Sequence, residues 1–412
     1  MKKILIYDDT LTSIQTSALE LYKVLIESGF DIDLMLDSSN FQNRESFYHR
    51  NEKHINIINL FEDKRRFVIS KNDKIKYYLM RLTNLISTRI KKRYFSFTSS
   101  KQIELEQYFC VLATSETSLK LSIEISRGKL PVIYYCTELY SEVLLNPSIK
   151  TYGELKKYLT YMRLKKYVSK AHAIIIQDED RWNVFSSANK LPRNFKHLYY
   201  PVSINRYVFK DYSPSNSFIA TIIEKCKGKK IIFYPTVFVP ARGCEEIINA
   251  VEQMNDDYVL IMHGFNGSSS FIRKLEKLQS DRVIISHCSL NYEDLIYLNS
   301  VIWCGILYYG EENYNDRFIS NSCNKLVAYL QAGKPIMTFG NTGLANLVTE
   351  YQCGFCLNEF AKNNMIDAVE YINKNYSMLS KNALKCYSEK YDAKKNSEQI
   401  CEFILRLEEK DD

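Results

Sequence analysis

The sequence predicts an α/β protein with two Rossmann-like domains facing a central cleft, and three observations lead there. Short apolar strands alternate with amphipathic helices from the first residues onward. The rhythm breaks once, at Ser213, Pro214, Ser215 and Ser217, and then restarts. The 412 residues, 46% of them hydrophobic, suffice for two separate cores. The expected division is residues 1–205, residues 206–385, and a C-terminal helix 386–412 placed to cross back to the first domain.

The first half opens on a strand at residues 3–7. A helix follows with Leu19, Leu21, Val24, Leu25 and Ile26, Gly29 ends it, and residues 31–36 alternate as a second strand. The loop at 8–13 has no glycine with which a backbone could approach a pyrophosphate, so no NAD or FAD site is expected there. Residues 61–101 hold 12 Lys or Arg against Glu62, Asp63 and Asp73. Within them Ile75, Leu79, Leu82, Ile86 and Ile90 recur at helical spacing. Such a segment either lies on an anionic membrane surface or packs its stripe on its own domain. It lacks the interleaved aromatics of a nucleic-acid reader, so no nucleic acid is expected as partner.

Residues 109–113 and 131–135 are further strands around a helix at 118–125. Glu138 follows the second strand, and ligands of open parallel sheets sit beyond the carboxyl ends of strands. Glu138 is therefore the candidate catalytic residue, its plainer role being a charge at a helix start. A Lys- and Tyr-rich helix at 155–168 leads to a strand at 173–176. Asp178, Glu179 and Asp180 then sit where acids complement a helix dipole, a plainer role than metal binding.

In the second half, strands are expected at 231–233, 258–262, 283–286 and 301–308, a helix at 243–254, and a last short strand from Gly354. Helices fill the chain from residue 365. The stretch 320–337 has a polar loop becoming a helix: Ser322 as cap, Leu326, Tyr329 and Leu330 as stripe, Gly333 and Pro335 as stop. Asn324 and Lys325 in its first turn make a donor-rich, positive end of the kind that binds phosphate.

No apolar run approaches the roughly 18 residues of a spanning helix, and Asp8 and Asp9 interrupt any signal-peptide core. Eleven scattered cysteines fit a reducing compartment. Cys353 and Cys356 have no second pair nearby and are expected to be structural thiols. The expected location is cytoplasmic, with peripheral contact at the inner face of the membrane through 61–101. The charge supports that contact: residues 1–205 carry 32 Lys and Arg against 22 Asp and Glu, the remainder 23 against 26.

Four stretches of the second half, Tyr234 to Glu246, Val259 to Gly264, Arg282 to Tyr309 and Asn324 to Ile336, resemble the donor domain of GT-B glycosyltransferases, in particular the GT4 family. Asn324-Lys325-Leu326-Val327-Ala328-Tyr329-Leu330-Gln331-Ala332-Gly333-Lys334-Pro335-Ile336 resembles that family's Asn-Lys-Leu-Phe-Glu-Tyr-Leu-Ala-Ala-Gly-Lys-Pro-Val. The resemblance implies a retaining, nucleotide-sugar-dependent enzyme of hexosyltransferase type that needs no metal or other cofactor. Its partners would be a nucleotide-sugar donor and a saccharide or lipid-linked saccharide acceptor, the basic first half favouring the lipid-linked kind, as in surface polysaccharide biosynthesis. Donor-binding residues would be Thr236, Arg242, Gly243, His263, Gly264, Ser289, Leu290, Ser322, Asn324 and Lys325, with 288–290 at the base. Two departures stand out. Ser320 and Ala328 occupy the positions of the family's paired glutamates, the second of which contacts the ribose. Glu311 or Glu312 could replace the first. The alternative function is a catalytically inactive GT-B subunit acting as a binding or stabilising partner.

Overall fold

The computed structural model describes residues 2–8, 16–36, 54–59, 104–147, 149–209, 212–264, 267–288, 290, 292–359 and 362–407. Two parallel sheets organise them. Strands β1 (Lys2–Asp8), β2 (Phe30–Leu36), β3 (Ile55–Asn59), β4 (Cys110–Ala113), β5 (Val132–Tyr135), β6 (Ala173–Ile176) and β7 (His197–Tyr199) form the first. Its order is β3-β2-β1-β4-β5-β6-β7. Strands β8 (Lys230–Pro235), β9 (Tyr258–His263), β10 (Val283–Ser286), β11 (Cys304–Tyr308), β12 (Ile336–Phe339) and β13 (Gly354–Leu357) form the second. That sheet runs β10-β9-β8-β11-β12-β13. Both are the doubly wound Rossmann order, and each reverses direction once, between β1 and β4 and between β8 and β11.

The strands read as continuous apolar runs because helices cover both faces of each sheet. In the second sheet Phe233, Val259 and Ile261 pack on one side, and Ile232, Tyr234, Leu260 and Met262 on the other. The first sheet repeats this, with Ile4, Ile6, Leu112 and Ile133 on one face and Leu5, Tyr7, Val111 and Val132 on the other. The helix Lys362–Lys390 buries Met365, Ala368 and Ile372 against the second sheet. After Asp392 caps the next turn, Ala393–Leu405 inserts Ile400 and Ile404 into the core of the first.

Several local expectations are corrected. Val301 ends the helix Tyr292–Val301, so β11 starts only at Cys304; tertiary packing overrides the weak preference of a β-branched residue for extended backbone. The Lys- and Tyr-rich helix begins at Tyr152 instead of residue 155, because Thr151 and Glu154 form a capping box. β7 and β12 carry too short an apolar run to be anticipated. Among the described residues no helix is long and apolar enough to cross a membrane. The segment 61–101 lies outside the described residues.

The returning helix gives a direct test of how the first core is completed. Ile404→Ala should destabilise the protein by about 2–5 kcal/mol, the usual cost of truncating a fully buried aliphatic side chain. Urea unfolding followed by circular dichroism checks it, and an unchanged midpoint would show that the helix is only loosely applied.

Candidate functional site

Ligands of a doubly wound sheet bind in the crevice beyond the strand ends where the order reverses. In the second sheet that crevice opens after Pro235 of β8 and Tyr308 of β11. Three features converge there. After β8 the chain turns through Pro240–Arg242 into the helix Cys244–Glu252, with Gly243 at φ 61° in the left-handed region that only glycine adopts freely. This presents Arg242, whose Nη1 donates to the Tyr308 carbonyl at 3.1 Å. Its Nη2 reaches both oxygens of Asp316, at 3.2 and 3.1 Å.

The second feature is Lys325, in the first turn of the helix Asn324–Gln331. Its Nζ donates to the Pro235 carbonyl at 3.1 Å. It lies 4.6 Å from the centre of the Tyr309 ring. The Arg242 guanidinium lies 5.0 Å from the same ring, so the two cations share one aromatic platform. Burial, with Arg242 adding to it and Cys323 and Asp316 opposing, pulls the Lys325 pKa down to about 8.

The third feature is the helix start itself. Its cap is Cys323, whose Sγ accepts from the Leu326 N–H at 3.4 Å, instead of Ser322 as the sequence suggested. Ser322 is drawn away because its Oγ accepts from Arg181 at 3.0 Å. The amides of Asn324 and Lys325 keep no acceptor within the helix. The Asn324 side chain is exposed. Two cations with a single carboxylate between them, beside a helix N-terminus, make an anion site suited to a diphosphate.

Gly264 closes one wall. A Cβ there would sit 1.7 Å from the Thr236 carbonyl, so the two loops touch backbone to backbone. The Thr236 hydroxyl itself donates to Tyr234 at 3.3 Å. His263 is buried, its Nδ1 3.0 Å from the Ser286 hydroxyl, and burial depresses its pKa to about 4, so it is neutral. Leu290 is half-buried against the second core. Ser289 lies outside the described residues.

Glu138 follows β5 of the first sheet, and the adjoining Leu139 N–H donates to Asn315 of the second half at 2.8 Å. Burial raises the Glu138 pKa; Arg181 lowers it, and Asp316 and Glu142 raise it further. Glu138 and Asp316 are thus near enough to feel one another across the two halves. Glu311 is committed elsewhere: it accepts from the Thr342 N–H at 2.8 Å at the start of the helix Thr342–Tyr351. Ala328 is buried in the second core. Among the described residues no group of three or more His, Cys, Asp or Glu is gathered to hold a metal.

Three site residues escaped the sequence: Tyr309, Asp316 and Arg181. Tyr309 had a signal in the paired tyrosines closing β11. Asp316 and Arg181 had none, because the partners that tie Asp316 to Arg242 and Arg181 to the second half lie 74 and 134 to 141 residues away.

The complete architecture is that of solved GT-B proteins. HepE of Anabaena in complex with UDP-glucose superposes with a TM-score of 0.64 at 15% identity, over 98% of this chain and 100% of that one. Sucrose-phosphate synthase of Thermosynechococcus elongatus gives 0.65 at 13% identity, over 99% and 100%. A glycosyltransferase of Rickettsia africae gives 0.60 at 12%, over 99% of each chain. At these identities the likeness establishes the fold, two Rossmann-like halves of GT-B type. No family model matches the sequence, and no curated protein does.

The backbone contact at Gly264 is directly testable. Gly264→Ala must separate the 236 and 264 loops, at the roughly 1–3 kcal/mol of an overpacked site. A thermal-unfolding midpoint equal to wild type would show that the two loops are not in contact.

Proposed function

We propose that the chain is a retaining, nucleotide-sugar-dependent glycosyltransferase of hexosyltransferase type, of the GT4 kind. It would move a sugar from its donor to a saccharide, lipid-linked in surface polysaccharide biosynthesis, at the cytoplasmic face of a membrane. One observation carries the reading: Arg242 and Lys325 flank Tyr309 at the β8–β11 reversal, beside the Asn324–Gln331 helix start. The likeness to a chain that holds UDP-glucose supports it.

In this reading the donor diphosphate lies between the two cations and the helix N-terminus. As the bond from the sugar's anomeric carbon to the phosphate oxygen breaks, negative charge grows on the leaving group. Groups already aimed at that charge stabilise the transition state without reorganising. Thr236, Gly243, Gly264 and Asn324 would contribute to the same donor site, with His263 behind it and Leu290 toward the nucleobase. Glu138 faces the crevice from the first half. Its raised pKa makes it a stronger base than an ordinary carboxylate, suited to accept the acceptor hydroxyl's hydrogen bond.

A second reading, a subunit of the same fold that no longer transfers sugar, is favoured by Ala328. It offers the ribose no acceptor and is packed in the core. Calorimetry with a panel of nucleoside diphosphates separates the two, since an inactive partner that has lost the site binds none.

Lys325→Ala and Arg242→Ala should each weaken nucleoside diphosphate binding about 10- to 150-fold, the equivalent of a charge-assisted hydrogen bond of roughly 1.5–3 kcal/mol. Donor hydrolysis and transfer by purified protein should fall in parallel, and wild-type rates in both variants would remove the site assignment. Because these groups supply the positive charge, chelation with EDTA should leave the transfer rate unchanged; loss of activity that added divalent cation restores would show a metal-dependent donor site.

The pH dependence follows from Lys325, whose pKa of about 8 belongs to the free protein. Below that value it is protonated and holds the diphosphate. Above it the proton must be recovered on binding, so affinity declines with rising pH, approaching tenfold per unit for one linked proton. Equal affinities at pH 7 and pH 9.5 would contradict this.

A further inference from the structure

We propose that the outward face of the helix Tyr152–Val168 docks the protein onto an anionic membrane surface. Soluble helices turn their apolar stripe inward. Here Tyr152, Leu155, Leu159 and Met162, spaced three and four apart along one face, are 73%, 37%, 43% and 49% exposed. Ile149 just before the helix is 46% exposed. Large apolar side chains in such a row, uncovered by the other described residues, form a contiguous patch of the kind that marks an interaction surface.

The surrounding charge selects the occupant. Lys156, Arg163 and Lys166 stand among or beside these side chains and are exposed. The helix has one acid, Glu154, and it is committed to the N-terminal capping box with Thr151. A protein partner's apolar surface would leave those three cations unanswered. An anionic bilayer takes both kinds of group at once, apolar side chains entering the interface and cations staying at the headgroups.

The position fits as well. The helix follows β5, so its N-terminal end lies at the sheet edge that faces the crevice. Tyr140, in the turn directly after Glu138, stacks on Tyr161 of this helix at 6.1 Å. The inner face of the helix is thus packed beside the turn that follows Glu138, which leaves the apolar row facing outward. The surface is separate from residues 61–101 and does not depend on the glycosyltransferase reading, because docking needs no donor.

The test is flotation of the full chain with vesicles of pure phosphatidylcholine and of phosphatidylcholine with 30% phosphatidylglycerol, without nucleotide. We expect binding to the anionic vesicles only, weakened by 0.5 M salt. The variant L155S/L159S/M162S should bind at least tenfold more weakly with unchanged helicity and thermal midpoint, and K156E/R163E should do the same. Anionic-vesicle binding undiminished in both variants would place the contact elsewhere and overturn the proposal, as would absence of vesicle binding. Self-association of the wild type, lost in the triple variant without any vesicle binding, would assign the face to a second copy of the chain and equally overturn it.

Discussion

Arg181 is the interaction on which the rest of the structure depends. A guanidinium removed from water must find acceptors for its five N–H groups, and leaving them unmet is costly. Arg181 is 1% exposed and finds all of them on neutral oxygens. Gln177 and the Thr137 carbonyl belong to the first half. Asn315, Ser322 and the Phe318 carbonyl belong to the second. One side chain thereby fixes the 315–322 loop against the ends of β5 and β6. That loop carries Asp316 to Arg242 and delivers Lys325 to the helix start, so the facing of the two sheets and the shape of the anion site are set together.

A second junction works alongside it. Glu20 of the helix Thr16–Glu27 is fully buried, where a carboxylate survives only with donors around it. It receives Lys23, the Asn205 N–H, Tyr207 and Tyr292, which joins the first half to the connecting segment and to the helix Tyr292–Val301. The crevice is thus bounded by two polar pins, while the helix Ala393–Leu405 closes the chain back onto the first core through apolar packing. Between the pins, Arg242 and Lys325 concentrate positive charge with one carboxylate between them, an arrangement costly to keep without an anion to receive it.

The fold was legible because its signal is local. Buried parallel strands such as Tyr258–His263 announce themselves as apolar runs, and the restart after Ser217 announced the second sheet. The short strands His197–Tyr199 and Ile336–Phe339 were not legible, since sheet pairing and not composition makes them extended. Within the site, Arg242, Lys325 and the glycines could be named from the sequence because turn chemistry and helix ends are local. The cap passed from Ser322 to Cys323 through competition for Ser322 by a residue 141 positions earlier, which no local pattern records. Glu311 looked available as a replacement carboxylate, yet it serves a helix N-terminus that follows β12. Asp316, invisible in the sequence, is the carboxylate that pairs with Arg242.

The proposed function stands or falls on a nucleoside diphosphate binding at the β8–β11 reversal through Arg242, Lys325 and the amides of the following helix start. A crystal structure of the protein soaked with UDP tests it most directly. The diphosphate is expected within hydrogen-bond distance of both cations, with Arg242 released at least in part from Asp316. A diphosphate bound away from both side chains, with the Arg242–Asp316 pair intact, would contradict it.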